Sequence, residues 1–291
     1  MRIHLVDGTW ELFRAHFGAP PHRDAEGREV GAVRGLLRSL HALVAREGVT
    51  HLACAFDSQI ESFRNELFSS YKTSAGVPAE LLAQFPLAEE ACEALGVVTW
   101  GMWEFEADDA MATAAARLAS LPEVDQVVLA SPDKDLSQCI QGDRVIQWDR
   151  QRGRTLDEAG VRERFGVGPE LVPDWLALVG DAADGIPGLP GWGPKSAAAV
   201  LAAHGRIEEI PDDPAGWKAK VRGAERLAVV LRERRQEALF YRRLATLRTD
   251  VPLRDLEPEA LRWRGADRER LERICATIGE RGLLTRIARW R

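Results

Sequence analysis

Residues 3–7 read IHLVD, a mostly apolar run that ends in an aspartate. Two later runs end in the same way, LACAFD at 52–57 and VVLASPD at 127–133. Short, continuous apolar runs of this composition are typical of buried parallel strands. Helix-like stretches lie between them, including 33–46 and 80–95. Strands that alternate with helices at this spacing predict an α/β fold with a mostly parallel sheet flanked by helices.

Acidic residues gather where these strands end. Open α/β sheets bind ligands beyond the carboxyl ends of their strands, which is where the three terminal aspartates are expected. One such aspartate is weak evidence, because aspartate is also a common helix cap and turn residue. Here more acids accompany them, and the full candidate set is Asp7, Asp57, Glu106, Asp108, Asp109, Asp133, Asp135, Asp181 and Asp184. We assign Asp149, after the strand-like VIQW, to a hairpin instead.

So many carboxylates at one site repel each other unless a cation lies between them. Carboxylate oxygens are hard ligands that suit Mg²⁺ or Mn²⁺, whereas zinc more often binds histidine and cysteine. Two such ions about 4 Å apart stabilise the attacking and leaving oxygens of an in-line phosphoryl displacement. The sequence therefore predicts two divalent ions and hydrolysis of a phosphodiester by water.

A glycine- and proline-rich stretch follows at 180–203, GDAADGIPGLPGWGPKSAAAVLAA. It is not a Walker-type loop, because Pro194 separates Gly193 from Lys195 and removes a backbone N–H. The alternative is a hairpin between two helices whose amides and following helix N-terminus hold a DNA backbone phosphate. A tight helix–helix connection without a ligand is the remaining interpretation.

The bulk properties exclude several other classes. The 291 residues contain no apolar run long enough to span a bilayer and no secretory signal at the N-terminus, so we expect a cytoplasmic protein. The four cysteines lack metal-binding spacing and are expected to be reduced. A formal net charge of −6 argues against nucleic acid, but the segment 218–248 is rich in lysine and arginine.

Several motifs together resemble one known family. FDSQIESFRNELFSSYK, EFEADDAM, LASPDKDL and GDAADGIPGLPGWGPKSA occur in the order and approximate spacing of the bacterial 5′ nucleases. These form the flap endonuclease family, which includes the 5′–3′ exonuclease domain of bacterial DNA polymerase I. LVDGTWELFRAHF and LATLRTDVPL resemble its first and closing segments. No polymerase sequence follows, so the expectation is a free-standing member.

The resemblance implies a PIN-like fold and a role for each matching residue. One metal would lie near Asp7, Asp57, Glu106 and Asp108, the other near Asp133, Asp135, Asp181 and Asp184, with Asp109 close to both. The basic residues that steer the scissile phosphate would be Arg14, Arg64 and Lys72. The hairpin that grips duplex DNA, and in relatives holds K⁺ through carbonyls, would use Gly188, Gly191, Gly193, Lys195 and Ser196.

The resemblance also implies a domain organisation. Residues 1–170 would form the α/β nuclease core, with a helical arch at about 60–90 through which a single strand passes. Residues 171–291 would form a helical DNA-binding region with a helix-hairpin-helix type element. A monomer is expected, since no long heptad seam is present.

The expected activity is a metal-dependent 5′ nuclease on branched or 5′-ended duplex DNA. One departure from the family favours an alternative, because Ala75 and Gly76 stand where relatives carry another basic residue. An attenuated or non-catalytic DNA-structure binder would account for that loss. A ribonuclease on a related fold is the third interpretation. Trp192 replaces a smaller aliphatic residue in the hairpin and is expected either to pack or to touch a sugar.

Overall fold

The computed structural model describes residues 1–291. The strands are β1 (Arg2–Asp7), β2 (His51–Asp57), β3 (Val98–Met102), β4 (Gln126–Ala130), β5 (Val145–Asp149) and β6 (Arg154–Leu156). The helices up to residue 119 are α1 (Gly8–Gly18), α2 (Gly31–Ala45), α3 (Phe63–Leu67), α4 (Ala79–Leu82), α5 (Phe85–Leu95) and α6 (Ala107–Ala119). The later helices are α7 (Glu158–Phe165), α8 (Val172–Val179), α9 (Pro194–His204), α10 (Ala224–Ala245), α11 (Arg268–Thr277) and α12 (Arg281–Leu284).

Two compact units make up the chain, and neither is continuous in sequence. The first unit contains residues 1–62, 74–131 and 249–291, and the second contains 63–73 and 132–248. These units do not follow the division at residue 170, because the last segment of the chain packs with the N-terminal strands. The functional division at residue 170 stays a prediction.

Four parallel strands form the centre of the first unit, in the order β3-β2-β1-β4. Ile3, Leu5 and Val6 of β1 are completely buried, as expected for a strand covered on both faces. The register pairs Asp7 of β1 with Ala55 of β2, so Asp7 and Asp57 lie at the same edge of the sheet. The three predicted strands and the α/β class are confirmed.

Two local predictions need correction. Strand β3 was not predicted, because its VTWGM run is short and contains a glycine, which weakens a strand. This strand pairs in parallel with β2, and Met102 lies opposite Asp57. The stretch 80–95, expected as one helix, is divided into α4 and α5 around Ala83 and Gln84. Pro86 at the start of α5 explains the break, since proline is favoured in a first turn and not inside a helix.

The second unit is mostly helical. Its strands β5 and β6 pair antiparallel, with Asp149 opposite Arg154, which confirms the predicted hairpin. Helices α8, α9 and α10 enclose a separate hydrophobic core that includes Trp192 and Trp217. Trp192 is only 6% exposed and its ring lies 5.9 Å from that of Trp217, so it packs in the core. Among the pairings within a unit, β1–β2, β1–β4 and β2–β3 are parallel, and β5–β6 is antiparallel.

Candidate active site

The first acidic cluster comprises the candidate acids of the first unit: Asp7, Asp57, Glu106, Asp108 and Asp109. Asp7 ends β1 and caps α1, because its Oδ1 accepts a hydrogen bond from the Trp10 N–H at 2.8 Å. Its Oδ2 accepts from the Ser131 hydroxyl at 2.8 Å. The residue is 6% exposed, so this carboxylate is held in place by two donors at the end of a buried strand.

Asp57 occupies the equivalent place at the end of β2. Its own N–H donates to the Thr9 hydroxyl at 2.7 Å, and its Oδ1 accepts from the Ala107 N–H at 2.7 Å. Ala107 is the first residue of α6, so the Asp57 carboxylate meets the positive end of a helix. The same hydrogen bond fixes the start of α6 against the sheet.

The opening turn of α6 holds the other three acids. Glu106 is buried and accepts from the Ser62 hydroxyl at 2.7 Å, while its N–H donates to Asp109 Oδ2 at 3.1 Å. Asp109 is completely buried, and Asp108 is half-buried. Acids in a first helical turn are stabilised by the helix dipole and by its free N–H groups. This explains how the EADD sequence is tolerated inside a folded unit.

The second acidic cluster comprises Asp133, Asp135, Asp181 and Asp184. One carboxylate oxygen from each of Asp135, Asp181 and Asp184 lies within 4.8 Å of the others. The Asp135 N–H donates to Asp133 Oδ1 at 2.9 Å, which places the fourth acid beside them. Asp135 and Asp181 are buried, so these carboxylates meet in a poorly solvated place.

A lysine offsets part of this charge. Lys134 Nζ lies 2.5 Å from Asp181 Oδ2. Burial opposes the charged form of the lysine, but the hydrogen bond to Asp181 and the charges of Asp135 and Asp133 outweigh it and raise the pKa of Lys134. In the sequence Lys134 lies between Asp133 and Asp135, and its pairing with the distant Asp181 is visible only in the fold.

Asp135 still experiences strong repulsion. Burial raises its pKa well above the usual 3.8, and the charges of the other three acids raise it further, with Lys134 acting in the opposite direction. Its Oδ1 is buried and has no hydrogen-bond partner. An unpartnered, buried carboxylate oxygen among other carboxylates is an unfavourable arrangement that a hard divalent cation relieves. The donor set therefore fits a hard divalent cation.

Hydrogen bonds and close packing fix the backbone around the second cluster. Asp181 and Ile186 exchange two backbone hydrogen bonds of 2.7 and 2.8 Å, which closes the turn that carries Asp184. The Lys72 N–H donates to the Asp184 carbonyl at 3.0 Å, so the predicted basic residue lies beside the turn. Gly185 has a φ of +73°, and a Cβ there would approach the Ser70 carbonyl to 2.3 Å. Only glycine fits this position.

Helices α8 and α9 and the turn between them form the helix-hairpin-helix type element. Gly188 is buried with a φ of +69°, and a Cβ would come within 2.5 Å of the Gly180 nitrogen. The Gly193 N–H donates to the Ser196 hydroxyl at 3.0 Å at the start of α9. Lys195 and Gly191 are exposed. The element thus presents one lysine and a helix N-terminus to solvent, as an anion site requires.

The two predicted basic arginines make different contacts. Arg14 is one third exposed and pairs with the buried Glu11 at 2.5 Å. Arg64 is almost completely buried, and its guanidinium donates to the carbonyls of Leu244 at 2.8 Å and Thr246 at 3.2 Å. Buried donors that satisfy carbonyls stabilise the fold, so a structural contribution of Arg64 is visible that sequence alone did not indicate.

Comparison with known proteins agrees with this architecture, an α/β sheet with carboxylates at its strand ends. Residues 2–166 match the family model for the N-terminal resolvase-like domain of 5′-3′ exonucleases. Residues 167–269 match the model for the C-terminal SAM fold of the same family. The chain therefore belongs to the 5′-3′ exonuclease family.

Individual relatives include DNA polymerase I of Pseudomonas aeruginosa, 36% identical over 266 residues, which are 88% of this chain and 28% of that polymerase. The chain thus spans under a third of the polymerases that it matches. A 5′-3′ exonuclease of Aquifex aeolicus is 28% identical over 98% of this chain and 94% of its own length.

A solved structure supports the fold. The flap endonuclease of bacteriophage T5, in a complex with DNA and metal ions, superimposes with a TM-score of 0.66 at 21% identity. The match covers 84% of this chain and 89% of that protein. None of the helices described above is both long enough and apolar enough to cross a membrane.

Sequence reasoning missed the donors that hold the acids. Ser131 is the first residue of the SPDKD motif, and Ser62 follows β2 by five residues, so neither position stands out from ordinary turn serines. Their partners are distant in the chain, Asp7 for Ser131 and Glu106 for Ser62. Only the folded arrangement reveals them.

Proposed function

We propose that the protein is a divalent-metal-dependent 5′ nuclease that hydrolyses phosphodiester bonds in branched or 5′-ended duplex DNA. The observation that carries the proposal is the convergence of Asp135, Asp181 and Asp184, with carboxylate oxygens within 4.8 Å of one another and a buried, unpartnered oxygen on Asp135. Such a set is costly without a cation and suits one with oxygen ligands. Membership of the 5′-3′ exonuclease family supports the same reaction.

In this proposal each acidic cluster holds one divalent ion. A bound ion of this kind lowers the pKa of a coordinated water and stabilises charge that develops on a phosphoryl group. The first cluster would present carboxylates fixed by Ser131, Ser62 and the α6 amides. The second would present Asp135, Asp181 and Asp184, with Asp133 beside them. The two-ion mechanism, and the choice between Mg²⁺ and Mn²⁺, stay predictions.

The basic residues would act on the DNA rather than on the metal. Lys72 and Arg14 carry the cations that we assign to the scissile phosphate. For Arg64, the hydrogen bonds to Leu244 and Thr246 favour a positioning role that holds α3 in place. Such contacts with phosphate fix the register of the DNA without reading its sequence.

The helix-hairpin-helix type element would hold the duplex. The N-terminus of α9 offers backbone amides and a favourable dipole for one backbone phosphate, and Lys195 adds a charge in the same turn. Gly188, Gly191, Gly193 and Ser196 would shape this contact. K⁺ held by hairpin carbonyls and a monomeric state also remain predictions.

The test is cleavage of a 5′-labelled flap DNA with Mg²⁺ and, in parallel, with EDTA. The proposal predicts cleavage only with Mg²⁺, and loss of cleavage in Asp109→Ala and Asp133→Ala with DNA binding largely retained. Asp149→Ala is the matched control, because Asp149 lies in the β5–β6 hairpin and pairs with Arg152. Full activity in either active-site variant would refute the assignment.

The alternative is a DNA-structure binder with little or no cleavage. It is favoured by one observation, that the exposed segment at Ala75 and Gly76 carries no basic side chain. Tight, Mg²⁺-independent binding of the flap without cleavage would establish this alternative. Cleavage of RNA in preference to DNA in the same assay would instead indicate a ribonuclease.

A further inference from the structure

Trp103 is the most exposed of the large apolar side chains, with 67% of its surface accessible. It makes no hydrogen bond and no ring contact within the chain, unlike Trp192 and Trp217, which pack together. An indole is a large apolar surface whose exposure to water is unfavourable, and aromatic side chains of this kind are enriched at binding surfaces. The exposure of Trp103 therefore indicates that its side chain belongs to a binding surface and not to the core.

Trp103 lies next to the first acidic cluster. It follows Met102, the residue of β3 that lies directly opposite Asp57 of β2. It also precedes Glu106, which opens α6, by three residues. Neighbouring strands are about 4.8 Å apart and successive Cα atoms 3.8 Å. The backbone of Trp103 thus lies at the sheet edge that presents the Asp57 carboxylate.

The segment that carries Trp103 is anchored at both ends. The Met102 carbonyl accepts a hydrogen bond from the Ser58 N–H at 2.8 Å. At the other end the Glu106 N–H donates to Asp109 at 3.1 Å. A short connection held in this way presents its side chain without a large ordering cost on binding.

The negative charge around Trp103 indicates which chemical group would bind there. Glu104 is the next residue and is exposed, and the acids of the first cluster lie just beyond it. A phosphate at Trp103 would be repelled by these carboxylates, whereas an uncharged aromatic ring would not. Nucleobases stack on tryptophan irrespective of their sequence, which suits an enzyme that does not read bases.

We propose that Trp103 stacks against a nucleobase of the DNA substrate beside the scissile phosphate. The inference rests on the proposed nuclease function and adds a base-binding residue to it. The contact orients the nucleotide through its ring, while the carboxylates of the first cluster would hold the divalent ion that stabilises charge on its phosphate.

The experiment compares wild type, Trp103→Ala and Trp103→Phe on flap DNA whose bases are removed one at a time at the two nucleotides on each side of the scissile phosphate. Loss of a stacked base typically lowers affinity or rate by about 5- to 150-fold. We expect Trp103→Ala to lose kcat/KM within that range on intact DNA, and Trp103→Phe to retain most of it.

The decisive result is coupling between the residue and the base. At one abasic position the kcat/KM of the wild type should fall by the same factor as the Trp103→Ala substitution causes on intact DNA. The kcat/KM of Trp103→Ala should not fall further at that position. Phe17→Ala is the control, because Phe17 is equally exposed at 66% but lies in α1 and already packs on Phe13. It should behave as wild type at every position.

Two other results have distinct meanings. If Trp103→Ala cleaves the intact flap as well as wild type does, the stacking inference is wrong. It is also wrong if Trp103→Ala loses activity at the same abasic positions as wild type. If wild type cleaves no DNA substrate with Mg²⁺ or Mn²⁺, the proposed function itself fails. Thermal unfolding of each variant verifies that the exposed substitution leaves the fold intact.

Discussion

The two acidic clusters carry similar residues and stabilise them in different ways. In the first, carboxylates accept hydrogen bonds from Ser131, Ser62 and the amides of Trp10 and Ala107. In the second, the carboxylates face each other, and the cation of Lys134 partly neutralises them. The first cluster is therefore part of the fold without a metal, whereas the second is under electrostatic strain that a bound cation would relieve.

The largest expected effect concerns Asp57. Asp57→Ala removes the acceptor of the buried Ala107 N–H, so we expect a loss of about 1–3 kcal/mol in the free energy of unfolding. Urea unfolding in EDTA measures this loss without any contribution from metal. Glu104→Ala is the control, because Glu104 is exposed and has no partner. Equal stability of the two variants would show that the first cluster does not support the fold.

For Asp135 we expect a substitution to raise the free energy of unfolding instead of lowering it. Asp135→Asn removes a buried charge whose pKa is raised by burial and by the neighbouring acids, so the variant should be more stable than wild type in EDTA at pH 8. The reason for this gain is that burial and the charges of the neighbouring acids disfavour the ionised carboxyl in the folded state. Asp133→Asn should gain less, since Asp133 is exposed. A destabilised Asp135→Asn would contradict the strain that we assign to this cluster.

The pH dependence of that gain follows from the same shift. A carboxyl whose pKa is higher in the folded state binds its proton more tightly there, so wild type gains stability as the pH falls through the folded pKa. The gain is complete below the ordinary value of 3.8. The advantage of Asp135→Asn in EDTA should therefore shrink from pH 8 towards low pH. An advantage that is independent of pH would exclude the charge as its cause.

A smaller effect is expected for Lys134. Lys134→Met removes the cation that pairs with Asp181, so Mn²⁺ should bind the second cluster several-fold more tightly. The metal-free variant should unfold at lower temperature, because repulsion among the acids is no longer offset. Electron paramagnetic resonance of free Mn²⁺ measures the affinity, with the exposed Lys220→Met as control. Weaker Mn²⁺ binding by Lys134→Met would mean that the lysine supports the metal site instead of opposing it.

The smallest effect is expected for Ser131. Ser131→Ala removes the hydroxyl that donates to Asp7 and leaves the helix-capping bond from the Trp10 N–H to Asp7 intact. We expect a loss of about 1 kcal/mol, typical for a single hydrogen bond, and no change in Mn²⁺ binding at the second cluster. Urea unfolding and the same Mn²⁺ titration provide both measurements. A large change in Mn²⁺ affinity would show that Ser131 acts on more than the local fold.

Sequence reasoning identified the features that local composition determines. The apolar runs before Asp7, Asp57 and Asp133 predicted three strands, because a buried strand has a recognisable composition. It missed β3, because VTWGM is a short run that combines the strand-favouring valine, threonine and tryptophan with a glycine. The pairing of β3 with β2 is visible only in the fold. The antiparallel hairpin at Asp149 was predicted from its turn residues.

Charge pairing between distant segments could not be predicted in the same way. Within the basic segment 218–248, Arg242 pairs with Asp174 and Glu208, and Arg235 pairs with Asp212 and also donates to backbone carbonyls. The hydrogen bond to Glu208 raises the pKa of Arg242. Part of the predicted basic face therefore stabilises the second unit. The burial of Arg64 against two distant carbonyls belongs to the same class of long-range contact.

The most direct test of the central claim is anomalous diffraction from crystals soaked in Mn²⁺. The account predicts one Mn²⁺ bound by Asp135, Asp181 and Asp184 and one bound by carboxylates of the first cluster. Crystals that show no Mn²⁺ at these carboxylates, at concentrations that support cleavage, would contradict it.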